Sequence, residues 1–257
     1  MPLVLPIHRT KNSVFNYSEI PAGYYYEVML KGHAIQRFWH REKFLEVAKL
    51  VRSSGAKTVL DFGCGPGSFL AVLGETVPGV QATGVDIASP QIDFAAKNIA
   101  AKFPGNIKFQ LLDGEKLPYP DASFDAVTCI EVIEHIHPFL AAKILAEARR
   151  VLKPEGVFVL TTPNYRSFWP MIEWLLERAS PVKYHEQHIS KFTPNSLVKF
   201  LETCGFEATG INSIFVVAPF VNAVSGSLAQ LLHRVEVKLR PLMGSLLILQ
   251  AKPFRDI

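Results

Sequence analysis

Cysteine is scarce. Cys64, Cys129 and Cys204 are the only three in 257 residues, too few and too scattered for a disulfide framework. The opening residues lack the unbroken apolar run of a signal peptide, so a reducing, cytoplasmic setting is expected. Long apolar runs are missing as well: the richest stretch near the C-terminus, IFVVAPFV, falls far below the roughly 20 residues that cross a bilayer. Dense Lys/Arg blocks are absent, which argues against a nucleic-acid partner. No internal repeat or low-complexity tract interrupts the chain.

What is present is enough apolar material for a large core. Hydrophobic residues make up 49% of the chain and charged residues 19%, which predicts one large domain or a domain with a cap. Charge is unevenly distributed: residues 1–55 carry +4, residues 56–177 carry −4 and residues 178–257 carry +4. Basic flanks around an acidic centre suit an anionic substrate or a membrane surface, and equally suit ordinary solubility.

The centre alternates strand and helix patterns. Short apolar runs at KTVLDFG (57–63), VQATGVDIA (80–88), NIKFQLLDG (106–114), SFDAVTCIE (123–131) and GVFVLTTPN (156–164) predict buried strands. Helical periodicity falls between them, near 67–75, 89–102 and 138–152. The expectation is an α/β fold with a doubly wound, mainly parallel sheet. An amphipathic helix over 34–53 precedes it; a helix over 194–204, ended by Gly205, and a strand over 206–215 follow.

DFGCGPG, Asp61 to Gly67, joins the first strand to the first helix of that sheet. Gly63, Gly65 and Gly67 permit a tight turn and close backbone approach to a ligand at a helix N-terminus. Asp86 ends the second strand, where a carboxylate accepts hydrogen bonds from both hydroxyls of a ribose, and Asp113 and Gly114 end the third. A nicotinamide dinucleotide shares the Gly loop and the second-strand acid. Asp61, however, sits badly beside a pyrophosphate and well beside a cation, which favours S-adenosylmethionine with its ammonium and sulfonium.

With these motifs together, the chain resembles the class I S-adenosylmethionine-dependent methyltransferases, especially the group similar to ubiquinone-biosynthesis O-methyltransferases and related small-molecule enzymes. VLDFGCGPG, GVDIA, LLDGEKLPYPDASFDAVTCIEVIEHI and RVLKPEGVFVLTTPN carry the likeness over residues 56–164. The resemblance implies a seven-stranded Rossmann-like sheet. It places Asp61, Gly63 and Gly65 on the methionyl side, Asp86 and Ile87 at ribose and adenine, and Asp113 and Gly114 beside adenine. It also implies a cap over residues 1–55, a cofactor-binding core over 56–164, and a substrate-side lid with the last strands over 165–257.

Catalysis from a sulfonium needs no covalent enzyme intermediate, so Cys64 and Cys129 read as packing residues. The acceptor must instead be held near the methyl, shielded from water and, for a hydroxyl, relieved of a proton. EVIEHIH supplies Glu131, Glu134, His135 and His137 after the fourth strand, and YHEQH supplies His185 and His188 later. His135, His185 and His188 are the candidate bases or substrate contacts; His137, before Pro138, reads as structural. Glu131, Glu134, His135 and His188 also resemble the metal pattern of small-RNA terminal 2′-O-methyltransferases. Relatives with EVIEH that need no metal set a divalent ion second.

The flanks decide the acceptor. Tyr17, Tyr24, Tyr25, Tyr26, Arg37 and Arg41 are candidates to close over the crevice, and FWPMIEWLLERA (168–179) is apolar enough for a lid or pocket wall. About 28 residues separate the last two strands, near 206–215 and 244–251. Within them Val217, Val221, Val224, Leu228, Leu231, Leu232, Val235 and Leu239 recur at helical spacing. That insertion, about 217–240, could rest on a membrane, cover a greasy substrate tunnel, or pack on the body or a second subunit. The expected activity is methyl transfer to a small acceptor, aromatic, lipidic or anionic, at oxygen ahead of nitrogen or carbon. A metal-assisted RNA 2′-O-methyltransferase, a protein methyltransferase and a non-catalytic cofactor-binding subunit are the alternatives.

Overall fold

A computed structural model describes residues 20–113, 116–179, 187–239 and 243–254. Two helices open the described chain, α1 (Tyr24–Lys31) and α2 (Ala34–Ser53). The alternating centre then runs β1 (Thr58–Phe62), α3 (Ser68–Thr76), β2 (Gln81–Asp86), α4 (Ser89–Asn98), β3 (Ile107–Leu111), β4 (Phe124–Ile130), α5 (Pro138–Val151) and β5 (Leu152–Pro163). The chain continues as α6 (Trp169–Ala179), α7 (Pro194–Thr203), β6 (Phe206–Ile214), α8 (Ala218–Val221), α9 (Gly226–Leu239) and β7 (Leu246–Pro253).

The seven strands form one sheet in the order β3-β2-β1-β4-β5-β7-β6. β1 to β5 are parallel, and β7 runs antiparallel to both β5 and β6. Helices cover both faces, so the central strands are buried on both sides and read as continuous apolar runs rather than as alternations. One apolar layer joins α2 and α3 to Ile214, Phe215 and Ala229; the other joins α5 and α7 to the opposite face. The sequence order reverses between β1 and β4, and the crevice beyond the C-terminal ends of these neighbours is where open α/β sheets bind ligands.

Local signals place the helices. His137 caps α5 ahead of Pro138, its ring accepting from the Phe139 N–H, so it has the structural role expected. Thr193 and Ser196 form a capping box on α7, which ends at Gly205 with φ of +83°. Two expectations were too long. The 89–102 helix stops at Asn98 and continues as one 3-10 turn, Ala100–Lys102, and the third strand ends at Leu111 rather than at Gly114, which lies outside the described residues.

The insertion before β7 is two helices with a turn between them, and most of its apolar residues face outward. Ala229, His233 and Glu236 face inward, while Val224, Leu228, Leu231, Val235 and Leu239 are exposed. Hydrogen bonds explain why: Glu236 accepts from the N–H groups of Val216, Val217 and Ala218 at 2.8–3.2 Å, satisfying the otherwise orphaned start of α8. Gln230 donates to Glu42 on α2 at 2.8 Å, and Asn222 donates to the Ala34 carbonyl at 2.7 Å.

Candidate functional site

The Gly loop follows β1 directly, and its glycines answer to different constraints. Gly63 has φ of +72°, and a Cβ there would lie 2.5 Å from Val132 Cγ2 on the turn after β4. Gly67, φ +79°, caps α3 where a Cβ would strike Phe109. The Gly65 N–H donates to Asp86 Oδ2 at 2.8 Å, and the Ala88 N–H donates to Oδ1 at 2.9 Å. Asp86 therefore ties the loop to the end of β2, a role its sequence position did not reveal. Ile87 beside it is 65% exposed, an apolar surface open at the strand end. Asp113 is exposed just past β3; Gly114 lies outside the described residues.

Asp61 is buried at the end of β1. Thr128 on β4, its register partner, donates a hydroxyl hydrogen bond at 2.7 Å. Burial pushes the Asp61 carboxyl up to about 7; the Thr128 bond opposes this and the Asp86 charge adds to it. A ligand cation would supply the missing countercharge, as expected for the methionyl ammonium. The thiols of Cys64 and Cys129 are buried and raised well above the ordinary range by desolvation, which fits packing rather than nucleophilic chemistry.

The second half of the site begins where β4 ends. Glu131 takes φ of +53°, the left-handed region that L side chains rarely adopt. Its carboxylate forms an ion pair with the buried Lys43 on α2. Burial alone would raise the Glu131 carboxyl, but the Lys43 charge and hydrogen bond outweigh it and hold it below the ordinary range. Desolvation, with help from the Lys43 charge, pushes neighbouring His40 down to about 3.

Glu134 and His135 lie on the 3-10 turn Ile133–His135. Glu134 is fully buried; Thr162 on β5 donates to Oε2 at 3.2 Å, and Oε1 has no hydrogen-bond partner among the described residues. Burial first, then the Glu131 charge, pushes this carboxyl up to about 8. His135 Nδ1 bonds the Gln187 carbonyl at 3.1 Å, and desolvation pushes the ring down to about 4. The Ser190 N–H donates to the Glu134 carbonyl at 3.0 Å, pinning the later segment to the turn.

His188 completes the group from that segment. Its Nδ1 lies 2.6 Å from Glu173 Oε1 on α6, and the Tyr165 hydroxyl donates to the same carboxylate at 3.0 Å. A carboxylate can only accept, so Nδ1 of His188 donates and, in the neutral ring, Nε2 carries the lone pair; the carbonyl partner of His135 imposes the same tautomer. The two rings stand 5.0 Å apart, and one ligand atom each from Glu134, His135 and His188 lie within 4.8 Å of one another.

Trp169, at the start of α6, packs against His188 and against Trp39 of α2, and so stands on one side of this group. The sequence thus paired His135 with His188 but missed Glu173, Tyr165, Thr162 and Lys43, which hold or neutralise the group. Glu173 had one local signal, an acid set between Ile172 and Trp174 in a largely apolar helix. His185 and Tyr17 lie outside the described residues. Arg37 is exposed, and Arg41 approaches Glu75 on α3 at 4.0 Å. Glu131, counted from sequence with the metal candidates, is taken by Lys43 and is not among the three close ligand atoms.

Residues 33–210 match the methyltransferase domain family. A probable S-adenosylmethionine-dependent methyltransferase of Mycolicibacterium smegmatis is 29% identical over 189 residues, covering 74% of this chain and 67% of that one. A demethylmenaquinone methyltransferase of Deinococcus radiodurans is 36% identical over 126 residues, 49% of each, so the match spans about half of that relative. In fold, the magnesium protoporphyrin IX methyltransferase of Synechocystis PCC 6803, solved with bound SAH, aligns with a TM-score of 0.58 and 16% identity, over 86% of this chain and 85% of that one. With the β1 acid, the Gly loop and the β2 acid converging at the switch point of a seven-stranded sheet, the chain belongs to the methyltransferase domain family, as a class I enzyme that uses S-adenosylmethionine.

Proposed function

We propose that the chain methylates a hydroxyl oxygen of a small aromatic or lipidic molecule, with His188 taking the hydroxyl proton. The observation that supports this is the Glu173–His188 pair: the carboxylate fixes the imidazole tautomer and orientation, leaving Nε2 as the proton acceptor. S-adenosylmethionine supplies an electrophilic methyl on a positive sulfur. The protein's part is to seat that cation beside Asp61, aim the acceptor oxygen, exclude water behind Trp169 and Trp39, and receive one proton. Val132, which packs over Gly63, makes the turn carrying Glu134 and His135 contiguous with the cofactor loop. The Deinococcus relative's name points to a quinone-type acceptor, whose reduced form carries hydroxyl groups.

The test is methyl transfer from methyl-labelled S-adenosylmethionine to reduced demethylmenaquinone and to simple catechols. A methoxy product supports the assignment; a ring C-methyl product, or no transfer to any hydroxyl acceptor, overturns the oxygen assignment. A second reading has its own support. Two imidazoles with outward-bonded Nδ1 and a carboxylate with an orphan oxygen form a donor set for a borderline divalent ion such as zinc or manganese. Activity lost in chelator and restored by one ion supports that reading, and full activity in chelator rejects it.

A further inference from the structure

The outer face of α9 presents an apolar stripe that the fold does not use. Val224, on the turn before the helix, and Leu228, Leu231, Val235 and Leu239 are spaced by four, three, four and four residues. They are 90%, 48%, 58%, 44% and 75% exposed. At 100° per residue the four on the helix, Leu228, Leu231, Val235 and Leu239, fall within one arc of about 80°. The opposite face is fastened by Glu236, Gln230 and buried Ala229, so the stripe is held outward rather than left loose. Arg234 and Lys238 flank the stripe on one side, both exposed and with no ion pair among the described residues. The helix carries a single acid, Glu236, and that carboxylate is buried and occupied by three backbone N–H groups.

We propose that this face of α9 docks on an anionic lipid bilayer. The charge pattern selects that occupant. A second copy meeting stripe to stripe would bring four flanking cations, Arg234 and Lys238 of each copy, to the edges of the contact, with no exposed carboxylate on α9 to pair with them. An anionic headgroup layer supplies the countercharge while the acyl boundary receives the leucines. Among the described residues no helix is long and apolar enough to cross a membrane, so the contact is a surface one. The proposal rests on this face alone, independent of the acceptor assignment.

Co-sedimentation of the full chain with phosphatidylcholine vesicles, with and without phosphatidylglycerol, tests it. Binding is expected to the anionic vesicles and to weaken with salt. Arg234→Gln with Lys238→Gln is expected to weaken it about thirtyfold. Leu231→Gln alone, at an exposed position, is expected to cost about tenfold or more. Melting temperature and S-adenosylmethionine affinity should be unchanged in all variants, which separates a lost surface from a lost fold. A protein that stays in solution with anionic vesicles overturns the proposal, as does binding indifferent to these substitutions. A concentration-dependent dimer abolished by Leu231→Gln, without lipid binding, reassigns the face to a second copy and also overturns it.

Discussion

Gly63→Ala should meet two separate costs, one in the backbone and one in packing. The backbone at Gly63 has φ of +72°, which costs an alanine about 1–2 kcal/mol before any contact is considered. The added Cβ would then lie 2.5 Å from Val132 Cγ2 and 3.2 Å from Cγ1, an overlap of the kind that costs about 1–3 kcal/mol in a packed interior. The neighbour cannot yield freely, because Val132 leads into the turn that carries buried Glu134. A total of about 2–5 kcal/mol is expected, divided between folding stability and cofactor affinity; one kcal/mol lost from affinity alone is roughly fivefold in Kd. Calorimetric titration with S-adenosylmethionine and thermal melts of the free protein measure the two shares. Because the two costs have different origins, Val132→Ala in the same chain should recover the overlap and leave the dihedral cost. The double-mutant cycle should therefore give a favourable coupling of at least about 1 kcal/mol. A Gly63→Ala protein with wild-type melting and affinity refutes the packing account, and a coupling near zero refutes the role of Val132.

Three further outcomes follow from the same site. Glu173→Gln should lower kcat by about a hundredfold or more with S-adenosylmethionine affinity unchanged, since the carboxylate touches His188 and not the cofactor loop; unchanged kcat removes Glu173 from the mechanism. Lys43→Met leaves the Glu131 carboxylate without its cation and should cost about 3 kcal/mol, read as a fall in Tm of about 6–12 °C, and Glu131→Gln added to it should restore most of the loss. The ligand-free protein should gain stability as pH falls from about 8.5 to about 6.5, by on the order of 1–2 kcal/mol in denaturant titrations. The sign follows from raised carboxyls: Asp61, at about 7, and Glu134, at about 8, bind protons in the folded state that the unfolded chain releases, so their contribution is lost as pH rises. Below about pH 6.5 the trend should flatten, because His135 and His40, pushed down to about 4 and about 3, remain neutral in the fold while the unfolded chain protonates them.

What could be read ahead of the structure follows the range of the interactions involved. The sheet was legible because each buried strand is a local apolar run and each turn between β1 and α3 or β2 and α4 carries its own glycine or acid. Asp61, Gly63, Gly65 and Asp86 could be named as candidates for the same reason: each lies within a few residues of a strand end. His135 and His188 were named from sequence, but their tautomers depend on Gln187 and on Glu173, neither of which has a marker that links it to a distant histidine. Lys43 looked like any cation on the polar side of an amphipathic helix until β4 brought Glu131 against it. The insertion's periodicity left its orientation open: three backbone donors at α8 draw Glu236 inward, Val221 and Leu232 pack on the core, and the remaining apolar residues are turned outward.

α2 is where these long-range demands meet. Lys43 reaches Glu131 just ahead of the Ile133–His135 turn, while Glu42, one residue earlier and about 100° around the helix, accepts from Gln230 of α9. Glu46, a turn later on that same side, lies 3.4 Å from His233, whose ring stacks on Phe215, and Phe215 in turn packs on Trp39 of α2. Trp39 closes the circuit on Trp169, the residue that packs against His188. A helix with polar residues on both of its long sides would be a poor core element alone; here each polar side answers a specific partner, one in the site and one under the insertion. The outward stripe of α9 and the wall around His188 are therefore braced by one element, and the side chains of α2 that face them cannot be exchanged independently of either.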